Sequence, residues 1–435
     1  MAAELKLVRT PAEEALAERF PAIKASLPGG AQIVKLREAA FERFLKRGLP
    51  NRRVEEWKYT DLRALMREAA PFAPIPSDAE AARALGSART FADLGAIQIA
   101  FVNGHHVPGS ETVEGLEVVP LDAALAAGAS VGPIEAARED AAYGLNTAFM
   151  NDGVMIRVAP GAIVERPVHV RFVNTGGSAF ATATRVLVEV GEGASLTLLE
   201  SHEGLDSAAC QLNDVVEIVA GDRARVRHVR LNAEGTQSLA LSTLVAKLGA
   251  HVSFDTLNVV IGSRMARHQV YLTFAGEHAN ANINGATMLK DEQHADTTLV
   301  VDHAVPHCTS RELFKTVIDG DATGVFQGKI IVRPHAQKTD GRMMSAAVLL
   351  SDAGTMNNKP ELEIFADDVQ CAHGATCGTL DEDLLFYLMA RGLPRAEAES
   401  LLVQAFLGEA IEAVEDEAVR EALIGVVSAW LEARH

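Results

Sequence analysis

Two periodicities divide the chain. Over roughly the first ninety residues, apolar positions recur at helical spacing, clearest in Ile33, Leu36, Ala40, Phe41, Phe44 and Leu45, and Gly48-Leu49-Pro50 supplies a stop. Upstream, Thr10 followed by Pro11 predicts an N-cap with proline at the first helical position, and Glu13 and Glu14 suit the positive end of the dipole. A further helical piece is expected over Asp61–Glu68, then a break at Pro71, Pro74, Pro76 and Ser77. From about Ala96 the pattern becomes alternating. Ile97–Phe101 leads into the turn dipeptide Asn103-Gly104, and runs such as Val186/Val188/Val190, Val252/Phe254, Val270/Leu272/Phe274 and Leu362/Ile364 predict strands with one buried face for more than two hundred residues.

Helical spacing returns at the end. Thr379 to Glu382 has capping-box spacing before Leu384, Leu385, Tyr387, Leu388 and Met389, with Gly392 as the stop; a second helix follows Pro394 and a third runs through Leu423 to Leu431. Their apolar faces pack on one another or offer a surface to another protein. The expected organisation is a helical region over 1–90, a β core over 91–378 and a helical domain over 379–435.

The turns before several strands resemble one another. Gly191–Leu196, Gly221–Val226 and Gly276–Ala281 each carry a glycine, a small residue three on and an apolar residue two further, and Leu248–Val252 reads as a shortened copy. Taking Leu196, Val226, Val252 and Ala281 as equivalent gives steps of 30, 26 and 29 residues. Strands and turns at that period fit the coils of a β-solenoid, with a β-sandwich as the alternative. Asn280, Asn282 and Asn284 suit an inward ladder between stacked coils, or else a solvent-facing edge.

Composition narrows the function. With 58 acidic against 40 basic residues among 435, the net charge is −18, which speaks against nucleic acid or an anionic membrane as partner. The first twenty residues carry charge throughout and lack a signal-like apolar core, and no apolar run reaches membrane-spanning length, so a cytoplasmic protein is expected. Four cysteines, Cys210, Cys308, Cys371 and Cys377, are too few for a disulfide framework.

The densest group of metal-binding side chains is Cys371-Ala372-His373-Gly374-Ala375-Thr376-Cys377. On a strand, period two turns Cys371 and His373 to the same face, about 6.6 Å apart along the chain. A thiolate and an imidazole so placed suit iron, zinc or a sulfur species, yet two donors do not complete a site. The remainder must come from elsewhere in the chain, a partner or the cargo. His307 and Cys308 form a second, weaker group: two coils before Cys371 they fall near the same edge, although an extended segment turns them to opposite faces. Other chemistries lack their motifs. Gly324–Lys329 has three intervening residues where a phosphate loop has four and reads as a strand-to-strand turn, so no ATP site is expected, and no G-x-S-x-G, H-E-x-x-H or G-x-G-x-x-G occurs.

Several blocks together resemble the SufB/SufD family of iron–sulfur cluster assembly proteins, in its SufD branch. They are Gly48-Leu49-Pro50, the run Arg53–Leu62 (RVEEWKYTDL), Pro306-His307-Cys308, Phe326–Lys329, Glu361–Gly378 (ELEIFADDVQCAHGATCG), Phe386-Tyr387-Leu388 and Arg391-Gly392-Leu393. The resemblance implies a right-handed parallel β-helix flanked by N- and C-terminal helices. It also implies pairing with SufB through the β-helices, binding of the SufC ATPase through the C-terminal helices, and a non-catalytic scaffold role. His373 and Cys371 match the family's residues where an iron ion or nascent cluster forms with SufB ligands; Cys308, His307 and Cys377 are weaker candidates. The family reading allows a flavin in the complex and a homodimer when SufB is absent. The rival expectations are an adaptor solenoid without metal chemistry and a β-helix carbohydrate-active enzyme, which would need carboxylates along one face.

Overall fold

The computed structural model describes residues 9–109, 111–205 and 208–434. From Asp152–Val158 to Gln370–Gly378, strands alternate between two parallel sheets, one strand to each per coil, through eight coils of a β-solenoid. The hairpin of Ile97–Val102 with His105–Val107 extends one sheet, and Leu116–Pro120 extends the other.

Register shows why the turn glycines repeat. A Cβ at Gly191 would lie 2.5 Å from the Pro160 nitrogen, and one at Gly276 would lie 2.1 Å from the Ala250 nitrogen, so each coil can settle on its predecessor only without a side chain there. The small residue three on fills an inner corner: Ala194, Ala224 and Ala279 are buried. Leu196 pairs with Val226, Val226 with Phe254 and Phe254 with Ala281, giving steps of 30, 28 and 27. The expected equivalence of Val252 is therefore two residues out. Gly249–Phe254 is a full copy of the turn in which Val252 takes the corner normally held by alanine.

Four further expectations are corrected. The strands do not run unbroken from Ala96, because helices Leu121–Ala126, Glu135–Glu139 and Ala141–Phe149 intervene, in an alanine-rich stretch where helix propensity prevails. The piece expected over 61–68 is a helix only at Leu62–Leu65. Asp381, not Thr379, caps helix Glu382–Ala390, accepting from the amides of Asp383 and Leu384. Gly324–Lys329 lies inside strand Thr323–Val332, where Gly328 leaves room for the Met343 sulfur, so it is no turn. As for the asparagines, Ala281 and Ile283 face the core, so Asn280, Asn282 and Asn284 face outward; Asn282 donates to Asp255 in the neighbouring coil.

Both sheets are covered on much of their outer faces, as parallel sheets require. The N-terminal helices dock through the Arg53–Leu62 block. Trp57 is buried with the Arg267 guanidinium 3.8 Å over its ring and its indole N–H on Asp140, while Thr60 donates to Asp296, the ion-pair partner of Arg267. At the other end, helices Arg395–Ile411 and Glu417–Glu432 lay Val403, Leu407, Leu423 and Val427 over Val229, Leu257, Val259 and Met288 of one sheet. Lys315–Glu409 and Arg434–Asp319 ion pairs, 2.6 Å each, fix that seat.

Candidate functional site

Strand Gln370–Gly378 is the last of its sheet and, among the described residues, pairs only with Asp340–Leu349. Its register puts Cys371 on Gly341, His373 on Met343 and Cys377 on Ala347. Met343 belongs to the solenoid core and Cys371 packs against that core, so Cys371, His373 and Cys377 form the final layer of the interior face, uncovered by a further coil. Cys371 is part-buried; His373 and Cys377 are exposed. Six residues of extended chain, about 20 Å, separate Cys377 from Cys371, so it does not share their position.

The backbone places these residues at an open edge as well. The Gln370 amide donates to the Thr339 carbonyl, and in a parallel ladder alternate residues address opposite neighbours. The amides of Cys371, His373, Ala375 and Cys377 consequently face the unpaired side. Burial raises the Cys371 thiol above its ordinary value; the Gly341 amide offsets part of this, and the charges of Asp340 and Glu312 add to it. The thiol is thus held protonated until a metal or a base withdraws the proton.

Behind His373 in the same interior row come Met343 and then Glu312. Glu312 is buried, and burial pushes its carboxyl up to about 8, with the nearby Ser310 hydroxyl and the Arg311 charge offsetting only part. Sequence reasoning passed over it, although Phe314, Thr316 and Ile318 in alternation already put residue 312 inside. A further interior polar cluster lies nearer the N-terminal coils: Glu200 accepts from His228 and from Arg230, at 3.2 and 2.9 Å, and contacts His202.

Cys308 is placed differently. It sits in an inner corner two coils before Cys371, wholly buried, its thiol donating to the carbonyls of Gly276 and Pro306 at 3.4 and 3.5 Å, and burial raises it too. His307 is exposed on the outside of the same corner, stacked on His278. The structure therefore brings together Cys371 and His373 and leaves Cys308, His307 and Cys377 apart from them. Among the described residues no three His, Cys, Asp or Glu side chains converge on one metal-sized point. A cavity of about 380 Å³ lies away from this layer, between helix Ala31–Arg47 and a sheet's outer face, lined by Phe44, Trp57 and Tyr271.

Helix Glu382–Ala390, directly after the last strand, buries only Leu385. Leu384, Phe386, Tyr387 and Met389 are exposed, as are Ile364 and Phe365 of the last coil and Leu401 of the next helix. No described helix is long and apolar enough to cross a membrane.

Comparison with known proteins supplies the family. The model of the SufBD core domain of the SUF system for FeS cluster assembly matches residues 172–406, and that of the SufBD N-terminal region matches residues 30–170. The iron–sulfur cluster assembly protein SufD of Escherichia coli is 29% identical over 389 residues, covering 88% of this chain and 89% of that protein. An iron–sulfur cluster assembly SufBD family protein of Synechocystis is 28% identical over 409 residues, covering 88% and 87% respectively. One from Mycobacterium tuberculosis is 29% identical over 290 residues, 65% of this chain and 72% of its own. With the parallel solenoid, its helical flanks and the open Cys-x-His layer, these matches mean that the chain belongs to the SufB/SufD family of iron–sulfur cluster assembly proteins, in its SufD branch.

Proposed function

We propose that this chain is a non-catalytic scaffold subunit: it pairs with SufB along its open terminal strand, carries SufC on its C-terminal helices, and helps iron reach a nascent cluster at the SufB–SufD seam. The observation that carries this reading is the coincidence of Cys371 and His373 with an unpaired sheet edge. A partner strand added there would satisfy backbone groups left free and bring its own donors to a thiol and an imidazole that are too few alone. Iron and sulfide are cargo in this account. His373 offers an imidazole nitrogen, and Cys371 gives up its proton as iron arrives.

Docking of the ATPase on helix Glu382–Ala390 is supported by its exposed apolar side chains. A helix that buries a single leucine gains only about 2 kcal/mol from its own packing, so its remaining apolar surface is available to a partner. Hydrolysis of ATP belongs to SufC in this scheme. Native mass measurement of the complex captured through this subunit tests it: SufB and SufC are expected with the full chain, and SufC alone is lost when residues 379–435 are deleted. Retention of SufC by the truncated chain would refute the docking assignment.

A further inference from the structure

Six successive turns along one corner of the solenoid present a residue with positive φ, between +56° and +67°: Gly193, Arg223, His251, His278, His307 and Lys338. Backbone hydrogen bonds link the turns coil to coil, among them Arg223 N–H to Ala250, His251 N–H to Glu277 and His307 N–H to Gln337. The left-handed conformation tolerates histidine better than most side chains. It does not require the rings to stack, yet they do. His251 and His278 lie 5.1 Å apart between centroids at 12°, and His278 and His307 lie 4.8 Å apart at 16°. All three are exposed. The cations flanking the trio are already engaged, Arg223 with Glu192 and Lys338 with Asp368. Glu277 stands beside the middle ring, its carboxylate 4.0 Å from His278 Nε2.

We propose that this imidazole ladder is a binding site for one divalent first-row transition ion, held by His278, one stacked neighbour and Glu277. Two imidazoles and a carboxylate are the donor set that suits Fe(II), Co(II), Ni(II) and Zn(II). Metal–nitrogen bonds of about 2.0–2.1 Å ask two ligating nitrogens to lie within about 4 Å of each other. As they stand, the stacked rings and Glu277 do not converge on one point; rings one coil apart meet that limit by rotating exposed side chains, so the ion itself closes the site. Cys308, next to His307 in sequence, contributes nothing, because its thiol is turned into the core. The donors are nitrogen and oxygen only, which disfavours Cu(I). One step beyond Lys338 the corner reaches Val369, just before the strand bearing Cys371 and His373. Use of the ladder as a holding point for ferrous iron rests on the function proposed above; the binding itself does not.

The test is calorimetric titration of the untagged full chain carrying Cys371→Ser and His373→Ala, with Co(II) alone as the probe. One Co(II) per chain is expected. His278→Asn should weaken binding by about tenfold or more, and His251→Asn or His307→Asn by less, because the other neighbour remains; second-shell changes alone commonly cost about that much. Asparagine keeps the left-handed turn, and melting curves of the variants report that the corner is intact. No Co(II) binding by this background, or unchanged binding in the His251→Asn/His278→Asn/His307→Asn variant, would overturn the proposal. Because Cys371 and His373 are absent throughout, neither outcome depends on their role in cluster assembly.

Discussion

Glu312 and His373 occupy one interior row of the solenoid with only Met343 between them. A carboxyl group raised to about 8 by burial is therefore the nearest ionisable group behind the imidazole in that row. Its folded-state value lies above the unfolded one, so its contribution to stability is complete below about pH 4.5 and is lost as pH rises through about 8. Denaturant unfolding of the wild type and Glu312→Gln at pH 5 and pH 9 measures this directly. The wild type should lose more stability over that interval than the variant, by on the order of 3–5 kcal/mol. Glu234, also held near 8 by burial, is common to both proteins and cancels in the difference. Parallel losses would show that Glu312 is not protonated in the folded chain.

The four thiols should separate by exposure and acidity. Cys377 is exposed, Cys371 is part-buried with its pKa raised, and Cys210 and Cys308 are buried. Timed iodoacetamide labelling of the folded chain at pH 7.5, followed by mass spectrometry, should mark Cys377 first and Cys371 more slowly, at a rate that climbs with pH. Cys308 should stay unmodified until unfolding. Labelling of Cys308 as fast as Cys377 would contradict its placement in the core.

Edge pairing makes a backbone prediction. The Ala375 amide faces the unpaired side of the terminal strand, where proline removes no hydrogen bond of the solenoid itself. Ala375→Pro should melt within a few degrees of wild type yet pair with SufB at least roughly ten times more weakly, a cost of about 1.4 kcal/mol, as read by sedimentation velocity. Equal affinity would place the contact elsewhere.

The parts of this fold that were legible in the sequence are those set by short-range rules. Period two alone turned Cys371 and His373 to one face, and the turn glycines announced the coils because each lies against the backbone of the preceding one. Where one residue stood in for another, the reading slipped: Val252 at a corner usually held by alanine shifted the repeat by two. Glu312 stands next to Arg311 and close to Lys315, and those charges mask the alternation with Phe314 that places it inside. The RVEEWKYTDL block was recognisable, but its reason was not, since the backbone of Glu56 and the ring of Trp57 meet Arg267 from more than two hundred residues away. The stacked histidines likewise appear only once the coils are in register.

The measurement that bears most directly on the central claim is cluster formation in the complex reconstituted from this chain, SufB and SufC, followed by visible absorption and iron and sulfide content. With Cys371→Ser and His373→Ala combined, the complex should assemble with unchanged stoichiometry while cluster yield falls several-fold. A double variant that builds clusters at the wild-type rate and yield would contradict the account.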